Sequence, residues 1–425
     1  MFHLSRRGFI GASLAGVASG QFVGPESPAN AISPAPVDSA SLSTLFLTWQ
    51  SDPTTTMTIQ WVGNLSQPAD TTVYYWPANI DPLFTFRQPQ PTRGKPYPKA
   101  NHQVFRAELT GLTPDTEYCF TVGRQGKKIY RFRTMPLRAN DTISFISGGD
   151  CGANPHTIAN NIQAARQDPM FAVIGGDLAY ENGTSADTHL AFLRNYSQHM
   201  VGKDGRLIPM IACLGNHEVD GGYGQPRSKA KFFYSLFDGL FPERGFATLD
   251  FGDYLSLVLL DTGHTTPIEG EQTAWLERIL RDRADHPNVF AVNHVPAYPS
   301  FRSPEGKGGT GVGNREHWVP LFERHRVPVV LEHHDHTFKR TKPLLDGMGN
   351  NNGVLYLGDG SWGQVRAPQK PEKLSVMAKT SGEYHLSLHR IQGEERFHMA
   401  LDERGRVMDV CRSGQRKAGL VPTAS

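Results

Sequence analysis

Residues 327–340 read VPVVLEHHDHTFKR: an apolar, β-branched run that stops on His333, His334, Asp335 and His336. In extended chain, residues two apart point the same way. His334 and His336 are therefore expected to aim two imidazoles at one point just past a strand end. Four other apolar runs stop in the same manner: ISFISGGD on Asp150, FAVIGGD on Asp177, LIPMIACLGNH on Asn216 and His217, and NVFAVNH on His294. Runs this continuously apolar suit strands buried on both faces beneath helices. Ligands of such sheets gather beyond the carboxyl ends of the strands. Five strands delivering metal-type side chains at one end predict an α/β domain built around a metal site.

The segments around these runs agree. Helical spacing is expected over His156–Gln167, Ala186–His199, Arg227–Phe237, Glu271–Arg283 and Arg315–Arg326. In Glu271–Arg283 the residues Trp275, Leu276, Ile279 and Leu280 make one apolar face. Strand-like runs ending on Asp261 and Asp359, and two closing runs, EYHLSLHRI and ERFHMALD, complete a layered domain over residues 140–412. A tail follows at 413–425. Ahead of it, residues 38–136 are a series of short aromatic and β-branched strands with Pro, Gly, Asn and Asp turns, the pattern of an all-β sandwich. LTGLTPDTEYCFTV followed by FRT resembles a fibronectin type III-like module. The proline-rich stretch Pro77–His102 is expected to be a long surface hairpin. No catalytic cluster falls in this half, so its expected role is structural and orienting rather than carbohydrate-binding.

The chain has 425 residues with a formal charge of +2 and interspersed acids and bases, so no basic surface for nucleic acid is implied. Its start, Ser5-Arg6-Arg7-Gly8-Phe9-Ile10 followed by GASLAGVAS, reads as a twin-arginine export signal within residues 1–31. Cleavage near Val17-Ala18-Ser19 or near Ala29-Asn30-Ala31 fits equally. No other stretch reaches the roughly 18 apolar residues of a membrane helix, so no stable membrane insertion is expected after signal removal. A periplasmic or extracellular location follows. The cysteines Cys119, Cys151, Cys213 and Cys411 match no metal-ribbon spacing. Export permits pairing, and packing roles are expected for Cys151 and Cys213.

Asp150, Asp177, Asn216, His294, His334 and His336 mix oxygen and nitrogen donors and outnumber the needs of one tetrahedral ion. A carboxylate can bridge two ions, and two ions together can clamp a phosphate. Gly149-Asp150-Cys151-Gly152, Gly176-Asp177-Leu178-Ala179-Tyr180, Gly215-Asn216-His217-Glu218, Val292-Asn293-His294 and His334-Asp335-His336 resemble the five ordered motifs of the calcineurin-like metallophosphoesterases. Tyr180, three residues after the central aspartate, narrows the resemblance to purple acid phosphatases.

That resemblance implies a four-layer αββα catalytic domain behind the β-sandwich. It also implies a binuclear centre of Fe(III) and a divalent metal (Fe, Zn or Mn). Asp150, Tyr180 and His336 would bind the ferric ion; Asn216, His294 and His334 would bind its partner, with Asp177 shared. The implied reaction is hydrolysis of a small phosphate monoester by a metal-bound hydroxide, with His217 contacting phosphate or protonating the leaving oxygen. Phosphodiesterase action, or nucleotide or phytate phosphatase action, on the same centre is the alternative. A non-catalytic surface protein with a vestigial metal site is a third reading.

One departure stands out. The family usually carries glycine where this chain has His333, preceded by Glu332. His333 is expected either to contact phosphate or to pack. Phe338 stands where tyrosine is common. Arg302 and Arg315, with Lys307, lie in the Gly/Pro-rich loop after His294 and are candidate phosphate contacts. Asp261, His264 and Asp359 also end strands but match no ligand motif, so turn or cap roles are expected for them.

Overall fold

The computed structural model describes residues 42–64, 70–80, 87–138, 142–306 and 308–414. The export signal, Lys307 and the final tail residues lie outside this set. The described residues belong to one unit, Ala40–Ser425.

The described residues between Phe46 and Arg133 form a β-sandwich of two four-stranded antiparallel sheets. One sheet runs Phe46–Thr48, Met57–Gly63, Gln103–Leu109, Arg93–Pro96; the other runs Gln88–Gln90, Val73–Pro77, Glu117–Val122, Tyr130–Arg133. The central strands Met57–Gly63 and Glu117–Val122 are buried along nearly their whole length, and Phe120 stacks at 5.1 Å on Tyr130 within the core.

The proline-rich stretch is not a hairpin. Gln88–Gln90 pairs with Val73–Pro77 in one sheet, whereas Arg93–Pro96 pairs with Gln103–Leu109 in the other. Both strands are sheet edges, where a residue lacking a backbone N–H is tolerated; Pro89 and Pro96 sit there. The stretch therefore crosses between the sheets. Within it Tyr97 is buried, its hydroxyl 2.6 Å from His189 Nδ1 in the following domain. Trp49 rings against Phe171 and Phe251, and Arg106 pairs with Asp238 at 2.8 Å, so the sandwich is seated firmly on that domain.

The second domain holds two mixed sheets, of six and seven strands. In the six-stranded sheet Ile143–Gly148, Ala172–Ile174 and Met210–Ala212 run parallel; His385–Gln392, Glu395–Asp402 and Val407–Ser413 continue it antiparallel. In the other, Leu255–Leu259, Val289–Asn293, Val329–Glu332 and Leu355–Asp359 are parallel. Strand alternation divides the core. Leu257, Leu259, Phe290, Val292, Val329 and Leu331 join the cluster that holds Phe145 and Leu388 of the facing sheet. Val258, Val289, Ala291 and Val330 point the other way, under Leu276 and Leu280 of helix Glu271–Asp282 and Phe322 of helix Val319–Arg324. Helix Pro155–Arg166 packs on the six-stranded sheet and on helix Ala186–His199. Each sheet thus has helices outside and a partner sheet inside, the four-layer arrangement.

Two helices are shorter than their sequence patterns. Arg227–Lys229 is a 3₁₀ turn, and the α-helix begins only at Lys231. The 315–326 segment opens with a π-turn, Asn314–Trp318, and becomes α-helical from Val319. Pro320, which has no N–H to give to a preceding turn, fits only the first turn of the new helix.

Candidate metal centre

The parallel strands deliver their polar ends to one place. Asp150 follows Ile143–Gly148, Asp177 follows Ala172–Ile174, and Asn216 follows Met210–Ala212 in one sheet; His294 follows Val289–Asn293 and His334 follows Val329–Glu332 in the other. Two donor groups result, Asp177–His294–His334 and Asp150–Asp177–His336, with ligand atoms within 4.8 Å of one another in each. Asp177 belongs to both. His334 and His336 do not aim at one point, as extended chain would have it. The strand stops at Glu332, and both histidines adopt left-handed backbone, with φ of 69° and 58°. Each imidazole therefore enters a different donor group.

Left-handed backbone is concentrated here. Asp150, Asp177, Tyr180, His334 and His336 account for five of the twelve described non-glycine residues with positive φ. Such conformations cost about 1–3 kcal/mol each and persist where the surroundings over-determine them.

Hydrogen bonding says what the cluster lacks. His294 Nδ1 faces the Gly175 carbonyl at 2.9 Å and must donate to it. In the neutral ring Nε2 then carries only a lone pair. Yet it points at Asn216 Oδ1 (3.2 Å), His334 Nδ1 (3.1 Å) and Asp177 Oδ2 (3.3 Å). Asp177 Oδ2 is fully buried and makes no hydrogen bond of acceptable geometry. In the second group the Tyr180 hydroxyl lies 3.2 Å from Asp150 Oδ1 and 3.0 Å from His336 Nε2. Lone pairs converging with too few protons between them fit cations.

The electrostatics agree. Burial pulls His294 down, but Asp177 outweighs it and lifts the imidazole to about 9: the metal-free site holds a proton where a larger charge fits. Burial works on Asp177 in the other direction and is overcome by His294, which holds the carboxyl well below its ordinary range. Burial, then Asp150 and Asp177, push the Tyr180 phenol far up, so a phenolate forms only with a cation beside it. His334 is pushed down by burial and by His294 and is the neutral ring that a ligand must be.

Groups that are not ligands hold this geometry. Glu218 accepts from Gly215 N at 2.7 Å, Asp177 N at 2.8 Å and Leu178 N at 2.7 Å, so one carboxylate ties two strand-end loops together. Asp335 accepts from Ser300 N at 2.5 Å and Phe301 N at 2.8 Å and so ties the loop after His294 to the last motif. Glu332 and Lys339, both buried, pair at 2.5 Å beneath the histidines, and Glu332 also takes Ala297 N at 2.6 Å. Asp261 accepts from His264 N and Thr266 N, as a turn residue should. Among the described residues no disulfide links the four cysteines.

His217 is half-buried, its ring 4.3 Å from Tyr180, its N–H on Asp177 Oδ1 at 2.8 Å and its Nδ1 2.5 Å from Asn182 Oδ1. Its Nε2 lies 3.9 Å from Asp177 Oδ2, at the cluster's edge. His333 is buried in the floor: Nδ1 meets the Asn293 carbonyl at 3.0 Å, and its ring fills the space a Cβ on Gly149 or Gly175 would need. That place is closed to a substrate. Arg302 pairs with Asp335 at 3.0 Å and bonds the His334 carbonyl, alongside the cluster. Arg315 instead binds the carbonyls of Ala297, Thr310 and Pro304, which makes it a clamp inside its own loop.

This fold and donor set define the calcineurin-like phosphoesterases: residues 143–338 match that family, and residues 43–134 match the purple acid phosphatase N-terminal domain. The chain belongs to this family as a purple acid phosphatase-like member. It is 26% identical to purple acid phosphatase 21 of Arabidopsis thaliana over 63% of this chain and 62% of that one. Probable inactive purple acid phosphatase 1 of the same plant is 23% identical over 58% of this chain and 45% of its own. The chain thus spans less than two thirds of the length of these relatives. Among solved structures, a purple acid phosphatase from yellow lupin (Lupinus luteus) seeds superposes with a TM-score of 0.70 at 16% identity, over 86% of this chain and 73% of that one. PhoD gives 0.60 at 12% identity, over 88% and 93%.

Proposed function

We propose that this chain is an exported binuclear-metal phosphatase that hydrolyses small phosphate monoesters. The observation that carries this reading is the pair of donor groups sharing Asp177. Asp150, Tyr180 and His336 would hold a ferric ion; Asn216, His294 and His334 would hold a divalent one (Fe, Zn or Mn). The ions, once bound, supply Lewis acidity and an activated water for in-line attack on phosphorus. The protein's own groups do the rest. Glu218 and Asp335 fix the loops that carry the ligands. His217 presents Nε2 at the rim, its Nδ1 donating to Asn182 Oδ1; burial lowers its pKa, so only as the imidazolium would Nε2 carry the proton to contact phosphate or to protonate the departing oxygen. Arg302, already anchored on Asp335, adds positive charge to the mouth.

Export rests on the Ser5–Ile10 pattern. The probable inactive relatives favour the non-catalytic reading as the competitor. One experiment separates them. The chain is recovered from periplasm or medium, its metals are counted, and p-nitrophenyl phosphate is compared with bis(p-nitrophenyl) phosphate. Iron plus a second metal, a visible absorption band and preference for the monoester are expected. A fully metallated protein inert to both esters contradicts the reading.

A further inference from the structure

Beyond the ligands, one aromatic side chain at the mouth is built in rather than left over. Tyr223 is 46% exposed, unusual for so large a ring, and sits on a loop whose glycines Gly221, Gly222 and Gly224 all have left-handed backbone. The loop does not wave in solvent. Gly224 N donates to the Gly263 carbonyl and Gln225 N to that of His264, both at 2.9 Å.

His264 is fully buried, and its proton is assigned by its neighbours. Nδ1 faces the Gly222 carbonyl at 3.1 Å and must donate; Nε2 therefore accepts from Thr262 Oγ1 at 2.9 Å. Thr262 Oγ1 in turn takes the N–H of Val295, next to the ligand His294. The Tyr223 ring lies 4.7 Å from that fixed imidazole. A hydrogen-bonded chain thus runs from the strand end that carries His294 to the Gly222 carbonyl beside Tyr223, and the Tyr223 ring packs on the imidazole within that chain.

The phenol oxygen lies 3.4 Å from His334 Nε2. His334 turns Nδ1 into the cluster, 3.1 Å from His294 Nε2. With that lone pair given to a cation, the imidazole proton belongs on Nε2 and points at the Tyr223 oxygen. The phenol's own hydrogen then has to point elsewhere, and the exposed side of the ring is the mouth. A pre-aimed neutral donor at that position suits an oxyanion.

We propose that the Tyr223 hydroxyl donates a hydrogen bond to a non-bridging oxygen of a phosphoryl group bound at the metal centre, making Tyr223 a catalytic residue. The inference rests on the phosphatase reading and adds a contact that none of the five motifs contains. No bond is made or broken by Tyr223; it holds charge that the phosphoryl group carries throughout the reaction.

The test compares the metal-loaded wild type with Tyr223→Phe, which keeps the ring and its packing on His264. Inorganic phosphate, as a competitive inhibitor, is the probe. A lost hydrogen bond to a charged oxygen predicts phosphate binding weaker by about ten-fold or more. The value of kcat/KM for p-nitrophenyl phosphate falls by a similar factor, with metal content unchanged. Unaltered phosphate affinity in the variant overturns the proposal, and loss of metal alongside it would mean that Tyr223 merely orients His334. A wild type that hydrolyses no ester and binds no phosphate overturns the phosphatase reading first, and this inference with it. A wild type that is active beside an indistinguishable variant overturns the inference alone.

Discussion

The β-sandwich and the strand-end cluster are built from the same chain by opposite rules. In the sandwich the space between the sheets is apolar, with Val73, Phe120 and Phe132 wholly inaccessible among packed aromatic rings, and buried polar groups such as Thr58 and Gln60 are hydrogen-bonded. In the cluster, Asp150, Asp177 and His294 are wholly inaccessible, His336 nearly so and His334 half-buried; all but His294 sit on left-handed backbone, and lone pairs face each other. The sandwich gains stability from the apolar side chains it buries. The cluster sacrifices stability until something charged enters. Local violation of the folding rules therefore marks the site, and local obedience marks the scaffold.

The contrast breaks if substitutions in the two regions have the same consequence. Asp177→Asn removes the shared carboxylate. Activity should fall by at least about 10³-fold, beyond the 10–100-fold typical of outer partners of a metal site, and bound metal should drop to at most one ion per chain with the fold retained by circular dichroism. Phe120→Ala should do the reverse. It should lower unfolding free energy by about 3–5 kcal/mol while leaving kcat/KM per folded, metal-loaded molecule unchanged. Loss of metal binding in Phe120→Ala would erase the distinction.

A smaller effect sharpens it. His294 in the metal-free chain is lifted to about 9, so at pH 7 it is protonated, and a ligand imidazole cannot be. Metal binding at pH 7 should release about one proton from this group, and affinity should rise with pH until about 9. In the metal-free chain the same shift stabilises the fold below the ordinary histidine value, and that contribution is lost as pH rises through 9. Calorimetry in two buffers of different ionisation heat reads the proton directly; binding with no proton release contradicts the assignment.

What could be read from sequence follows the same division. Strand ends such as Gly176-Asp177 and Val292-Asn293-His294 were legible because the information is local: an apolar run, then a donor. The sheets that bring those ends together obey general rules for parallel strands. Contacts between distant segments were not legible. Glu218 reaches back 41 residues to Asp177 N, Asp335 reaches 35 to Ser300 N, and Tyr223 reaches 111 to His334. The Pro77–His102 stretch misled because proline reads as loop in sequence, whereas in space an edge strand accepts it. His334 and His336 misled because the period of two holds only while the strand continues, and here it ended at Glu332. His333 was ambiguous until its ring was seen against Gly149 and Gly175.

Anomalous diffraction from crystals of the metal-loaded chain, recorded at the iron edge and at that of the second metal, puts the whole account at stake. It should show two peaks roughly 3.5–4 Å apart, bridged by Asp177, with Tyr180 on the iron and His294 on its neighbour. A single peak, or none, with these side chains turned away from one another, would contradict it.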